Sequence, residues 1–257
     1  MKATNLAIYP SLKDRVVFVT GGGTGIGACI VSELCRQGAK VAFVDVKVAE
    51  SEKLVENVTR EFANQPLFIQ NDIRDVEALK LAIEKANQHF GNISVLVNNA
   101  GDDDRECLEN VTQSSWDNSL AINLRPSFFA AQAVLPQMKQ NQSGCIINFG
   151  SVCWMLRQGG MSAYSASKAA LIGLTRDLAR DFGQYGIRVN TLVPGWVMTE
   201  KQLSHWIDEP TQAWLKQTQC LKNDLVEQDI ANMVMFLAAD DSAMISAQTL
   251  VVDGGLV

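Results

Sequence analysis

Tyr164 and Lys168 stand four positions apart in a stretch, 163–182, whose pattern predicts a helix. Both side chains therefore project from one face. Ser151 precedes the tyrosine by thirteen positions. A phenol, an ammonium and a hydroxyl brought together suit the oxidation of an alcohol. That reaction needs a base for the alcohol proton and an acceptor for its hydride. A free tyrosine titrates near pH ~10, too high for a base at neutral pH. Lowering it by about three units takes roughly 4 kcal/mol of preferential stabilisation of the phenolate. A neighbouring ammonium and a positively charged cofactor ring stabilise a phenolate in this way. Ser151 can orient the substrate oxygen and share its charge. Asn123, in a predicted helix, can hold a water that passes the proton outward; its amide equally suits capping or packing.

The hydride acceptor has its own signature. Gly21-Gly22-Gly23-Thr24-Gly25-Ile26-Gly27 follows an apolar run at 16–20 and opens a predicted helix at about 25–37. In that context glycines give a tight turn and let the backbone approach a pyrophosphate. The helix N-terminus then offers free N–H groups and a positive dipole end. Asp45 ends the next apolar run, eighteen positions after Gly27. An acid there accepts hydrogen bonds from the adenosine ribose and repels a 2′-phosphate. The pattern predicts NAD, with NADP the weaker alternative because Lys47 stands close by. Asp72 suits either the adenine amino group or the turn before a helix starting near residue 75. Asn98-Asn99-Ala100-Gly101 suits a loop passing close to a cofactor, or an ordinary polar turn.

These groups need a scaffold. Short apolar runs at 16–20, 40–45, 67–70, 94–98, 145–149, 188–193 and 249–252 predict strands. Helical patterns fall at 25–37, 48–63, 75–89, 114–140, 163–182 and 227–239, with Pro126 and Pro136 expected to bend or break the long one. The strands are continuously apolar, as in parallel sheets buried on both faces. The alternation predicts an α/β fold: a single doubly wound Rossmann domain over 1–257 with a seven-stranded parallel sheet. The polar, Trp-rich segment 196–222 interrupts it and reads as a substrate lid.

Composition narrows the function. The 257 residues are 47% hydrophobic and 19% charged, which is globular rather than disordered. A net charge of −6 without a basic patch argues against nucleic acid and acidic lipid. No apolar run approaches the ~20 residues of a membrane span, and the N-terminal residues have no secretory apolar core. Six scattered cysteines predict reduced thiols in the cytoplasm. His89 and His205 lie far apart, so no metal site is expected.

Taken in order, the glycine run 21–27, Asn98-Asn99-Ala100-Gly101, Asn123, Ser151, Tyr164-Ser165-Ala166-Ser167-Lys168 and Pro194-Gly195 resemble the short-chain dehydrogenase/reductase family over nearly the whole chain. The resemblance implies a catalytic tetrad of Asn123, Ser151, Tyr164 and Lys168. It implies cofactor contacts from Gly21, Gly23, Thr24, Gly25, Ile26, Gly27, Asp45, Asp72, Ile73, Asn99, Ala100, Gly101, Tyr164, Lys168, Pro194, Gly195, Val197 and Thr199. Thr199 would bind the nicotinamide amide. It also implies a homotetramer paired through the helices at about 114–140 and 163–182. One departure is Asn148-Phe149-Gly150-Ser151, where many members carry two serines; the spacing to Tyr164 is kept.

Four of the five tryptophans, Trp154, Trp196, Trp206 and Trp214, come after Ser151. Their flat faces suit the C–H face of a sugar and their N–H groups a hydroxyl, although packing a lid against the core would also use them. The charged run Asp102-Asp103-Asp104-Arg105-Glu106 suits a polyhydroxylated substrate, or a solvated loop. Residues 6–13, Asp103-Asp104-Arg105, residues 147–151 with Trp154, and Gln219-Cys220-Leu221-Lys222 resemble the bacterial aldose 1-dehydrogenases, of xylose and galactose type, within that family. This implies NAD-dependent oxidation of a cyclic aldose at C1 to the aldonolactone. Arg105, Asn148, Ser151, Trp154, Tyr164 and Trp196 are the expected sugar contacts. The alternatives are another polyol or a 3-oxo substrate, or a non-catalytic nucleotide sensor, which the intact tetrad disfavours.

Overall fold

The computed structural model describes residues 6–62 and 64–257. Continuous apolar runs become the strands β1 Val16–Thr20, β2 Lys40–Asp45, β3 Leu67–Gln70, β4 Val95–Asn98, β5 Gly144–Phe149, β6 Ile187–Pro194 and β7 Thr249–Val252. They form one parallel sheet in the order β3-β2-β1-β4-β5-β6-β7. The helices are α1 Gly25–Arg36, α2 Val48–Phe62, α3 Val76–Phe90, α4 Gln113–Asn123, α5 Arg125–Asn141, α6 Ser162–Phe182, α7 Glu200–His205, α8 Glu209–Thr218 and α9 Glu227–Ala238. Residue 63, the expected end of the second helix, lies outside the described residues.

Strand side chains alternate between the two faces. Val17, Val19, Val41 and Phe43 join α1 and α9 in one core; Phe18, Ala42 and Val44 join α3, α5 and α6 in the other. With both faces covered, a strand has no polar side to show, and this explains the unbroken apolar runs. The chain leaves β1 toward β2 on one side, while β4 lies on the other. The carboxyl ends of β1 and β4 therefore flank a crevice, where ligands of such sheets bind.

Two sequence expectations change. The long helix breaks once, at Leu124 (φ −130°), and Pro126 occupies the first turn of α5. That turn needs no N–H from it. Pro136, expected to bend or break the helix, lies inside α5, which runs on through it. Pro136 is exposed, so water can serve the carbonyl it leaves unpaired, while buried Ala130, Ala131, Val134 and Met138 hold the helix to the core. The segment 196–222 is also less irregular than it reads, for it contains α7 and α8.

Candidate active site

The glycine loop bends because Gly21 (φ +66°) and Gly25 (φ +51°) adopt left-handed backbone. A Cβ on Gly27 would overlap the Gly21 carbonyl oxygen, so α1 can start this close to β1 only with glycine there. The preceding Thr24 makes no side-chain cap to α1, which leaves the first-turn N–H groups open. Asp45 closes the loop from β2: one carboxylate oxygen accepts from Gly23 N at 2.8 Å and the other from Lys47 N at 2.9 Å. Across the crevice, Asn99 Nδ2 donates to the Thr20 and Gly21 carbonyls, and Ala100 N donates to Thr20 Oγ1. A Cβ on Gly101 would stand about 3 Å from both Asn123 Oδ1 and Lys168 Nζ. Loop, open helix end and the Asp45 carboxylate would fit a dinucleotide, and glycine at 101 lets the loop after β4 approach Asn123 and Lys168 closely.

The tetrad converges from three elements. Ser151 follows β5, Tyr164 and Lys168 lie on α6, and Asn123 ends α4. The Ser151 hydroxyl accepts from Cys153 N at 3.3 Å and lies near enough to the Tyr164 phenol to favour its phenolate. Lys168 is buried at 3% exposure and donates to the Phe149 carbonyl at 2.8 Å. Its Nζ stands 5.7 Å from the Tyr164 ring centre. Burial pushes Lys168 down to about 8 and pushes the Tyr164 phenol above its ordinary value, against the nearby Ser151 hydroxyl, which favours phenolate. Without the positive cofactor ring, which the expectation counted together with the ammonium, the phenol is not lowered. Desolvation of the phenol is the largest cause, and the Lys168 ammonium is fixed on the Phe149 carbonyl.

Asn123 Oδ1 accepts from Asp102 N at 2.9 Å, and its Nδ2 donates to the Asp102 and Ser119 carbonyls. Asn123 and Tyr164 line a cavity of about 330 Å³ with Asp102, Arg105 and Met161. Trp154 sits one turn after Ser151, at 37% exposure.

Other expected contacts change role. Asn148, expected at the sugar, is fully buried inside β5; it accepts from Asn98 and donates to Thr175. A strand residue pointing into the core cannot reach the crevice, so it pins β4 and β5 to α6. The Trp196 N–H, offered above for a hydroxyl, donates to Gln202 Oε1 at 2.9 Å. Arg105 lies over the Trp206 and Trp196 rings at 4.4 and 5.5 Å. Asp72 sits in the turn before α3, paired with Arg74, and Asp75 caps the helix. Ile73 and Val197 are almost fully buried. Gly195 packs so closely on Asp253 that no Cβ fits. Thr199 caps α7 and lies within 4 Å of the space above Gly25. Lys201 and Gln202 were not anticipated from sequence; the one available signal was a cation following Thr199 in a segment facing an acidic loop.

The sequence profile of the family described as enoyl-(acyl carrier protein) reductase, a branch of the short-chain dehydrogenases, matches residues 21–257. The chain is 47% identical over 248 residues to "Probable galactose dehydrogenase GalD" of Rhizobium meliloti, covering 96% of this chain and 97% of that one. The chain belongs to the short-chain dehydrogenase/reductase family. A D-xylose 1-dehydrogenase of Caulobacter vibrioides is 40% identical over 252 residues, covering 97% and 98%. The crystal structure of a short-chain dehydrogenase/reductase from Serratia marcescens superposes with a TM-score of 0.88 at 36% identity, covering 96% and 99%. Dehydrogenases of this family are oxidoreductases that use nicotinamide cofactors.

Proposed function

We propose that this chain oxidises the C1 hydroxyl of a cyclic aldose, pentose or hexose, to the aldonolactone with NAD. The observation that carries the reading is the Ser151–Tyr164–Lys168 constellation beside a glycine cradle, in a chain whose relatives at 47% and 40% identity are named for galactose and D-xylose. Asp45 supports NAD over NADP, because its carboxylate stands at the end of β2 where a 2′-phosphate would meet it. The chain acts as one unit with 196–222 as its substrate lid, and as a homotetramer. Its six cysteines are free, in keeping with a reducing compartment such as the cytoplasm. No described helix is long and apolar enough to cross a membrane.

In this reading Tyr164 takes the C1 hydroxyl proton and Ser151 holds the same oxygen. Lys168, fixed at the Phe149 carbonyl, holds the cofactor ribose. Bound nicotinamide supplies the hydride acceptor and a positive charge that favours the phenolate. Asn123, tied to the Asp102 backbone, keeps the end of α4 open to the cavity through which the proton leaves. The lactone forms without water, so a closed, dry site suits the step.

The test is a panel of pentoses and hexoses with NAD and NADP, with the product identified by NMR. Oxidation of at least one aldose to its lactone with NAD preferred, and a shift toward NADP in Asp45→Ala, is expected. Activity confined to a non-sugar alcohol or 3-oxo compound would overturn the substrate and leave the oxidoreductase standing.

A further inference from the structure

The loop after β4 is tied on both sides. Its backbone at Asp102 exchanges two hydrogen bonds with the Asn123 amide. Its side chains face the lid. Lys201, the second residue of α7, bridges Asp102 Oδ1 and Asp103 Oδ1 at 2.8 Å each. The other Asp103 oxygen accepts from Gln202 Nε2 at 2.6 Å, and Gln202 Oε1 accepts from the Trp196 N–H at 2.9 Å. Trp196 meets Trp214 of α8 edge to face at 6.2 Å, and Arg105 covers Trp196 and Trp206 from the loop. The first turn of α7 is capped by Thr199, which stands opposite the glycine loop. Nothing within the lid alone would set this arrangement: Asp103 is about a hundred positions from its partners.

We infer that Asp103 is a positioning residue, which through Lys201 and Gln202 holds α7 and the Trp196 ring against the loop that is bonded to Asn123, and so sets the substrate side of the cleft. Two acceptor oxygens serve two donors on successive residues of one helix, so Asp103 fixes both the position of α7 and its rotation. The Lys201 side chain is 45% exposed, whereas that of Asp103 is 21% exposed. Salt therefore weakens the ion pair while leaving the shielded Gln202–Trp196 bond in place. The inference rests on the reading of this cleft as the substrate site.

The experiment compares wild type with Asp103→Ala, Asp103→Asn and Gln202→Leu. In Asp103→Ala, the KM for the oxidised aldose rises by about tenfold or more, the scale of a lost charge-assisted hydrogen bond, while kcat changes less than threefold. Cofactor affinity, followed by NADH fluorescence, is unchanged. Asp103→Asn keeps an acceptor for one partner and recovers part of the KM. Wild-type KM rises from low to high salt, and this dependence is flattened in both Asp103 variants. Hydrogen exchange of the amides of residues 200–205 is faster in Asp103→Ala and Gln202→Leu than in wild type. An unchanged KM in Asp103→Ala, or unchanged exchange in α7, overturns the assignment. If wild type oxidises no aldose, the exchange measurement still decides the latch, and only the sugar reading falls.

Discussion

At the scale of single residues, the site pairs half-buried Tyr164 with buried Lys168, and desolvation drives their titrations apart. Tyr164 is raised and Lys168 is lowered to about 8. Tyr164→Phe removes the proton acceptor but keeps the ring. It should lower kcat by ~10²–10⁴, with NADH affinity retained by fluorescence titration; near-normal turnover would remove the tyrosine from its role. Lys168 also couples stability to pH. Unfolded, it holds its proton up to the ordinary value of 10.5; folded, it releases it near 8. Between these values the unfolded state binds more protons, so this lysine makes stability rise with pH. Tyr164 acts oppositely above pH 10, since the folded phenol keeps its proton longer. Lys168→Met deletes only the first contribution. In urea unfolding of the cofactor-free protein, the stability gap should move by about 2 kcal/mol in favour of wild type from pH 8 to pH 10. A gap that is flat with pH would contradict a buried, depressed lysine.

At the scale of elements, α5 shows how packing overrides a local breaker. Proline inside a helix costs about 3 kcal/mol relative to alanine in an unsupported host. α5 nevertheless continues past Pro136, held by its buried face on α3 and by Gln137, whose Oε1 accepts from Ile93 N. Pro136→Ala should therefore stabilise the protein by about 1–3 kcal/mol and raise Tm by several degrees. A lower Tm would mean that the ring of Pro136 is itself required. The break at Leu124 differs in kind, since it ends α4 at Asn123 and brings that amide to the Asp102 backbone.

At the scale of the molecule, the two cores leave some large side chains without cover. Trp116 on α4 and Phe128 on α5 are 36% and 41% exposed. Burying such surfaces against a second copy is favourable at about 25 cal/mol per Å². In the tetramer proposed above, Phe128→Glu should yield smaller species in sedimentation velocity, while wild type sediments at the mass of four chains. A wild-type monomer would refute that assembly.

Much of the fold was legible because its signals are local. Continuous apolar runs mark strands covered on both faces, and β3 and β7 match their expected limits. The glycine run reports its own backbone requirement, and the four-residue step from Tyr164 to Lys168 fixes one helix face whatever surrounds it. By itself the sequence therefore determined the parallel sheet, the glycine turn and the shared helix face of Tyr164 and Lys168. Only the tertiary structure decided that Asn148 faces the core, that the Trp196 N–H is already engaged, and that α5 survives Pro136. It alone brought Asp103 to Lys201 and Gln202, and it alone set the direction of the Tyr164 shift. The physical reason is that these properties depend on which elements cross and how much water they exclude. Period and spacing along the chain carry neither kind of information, because both arise between segments far apart in sequence.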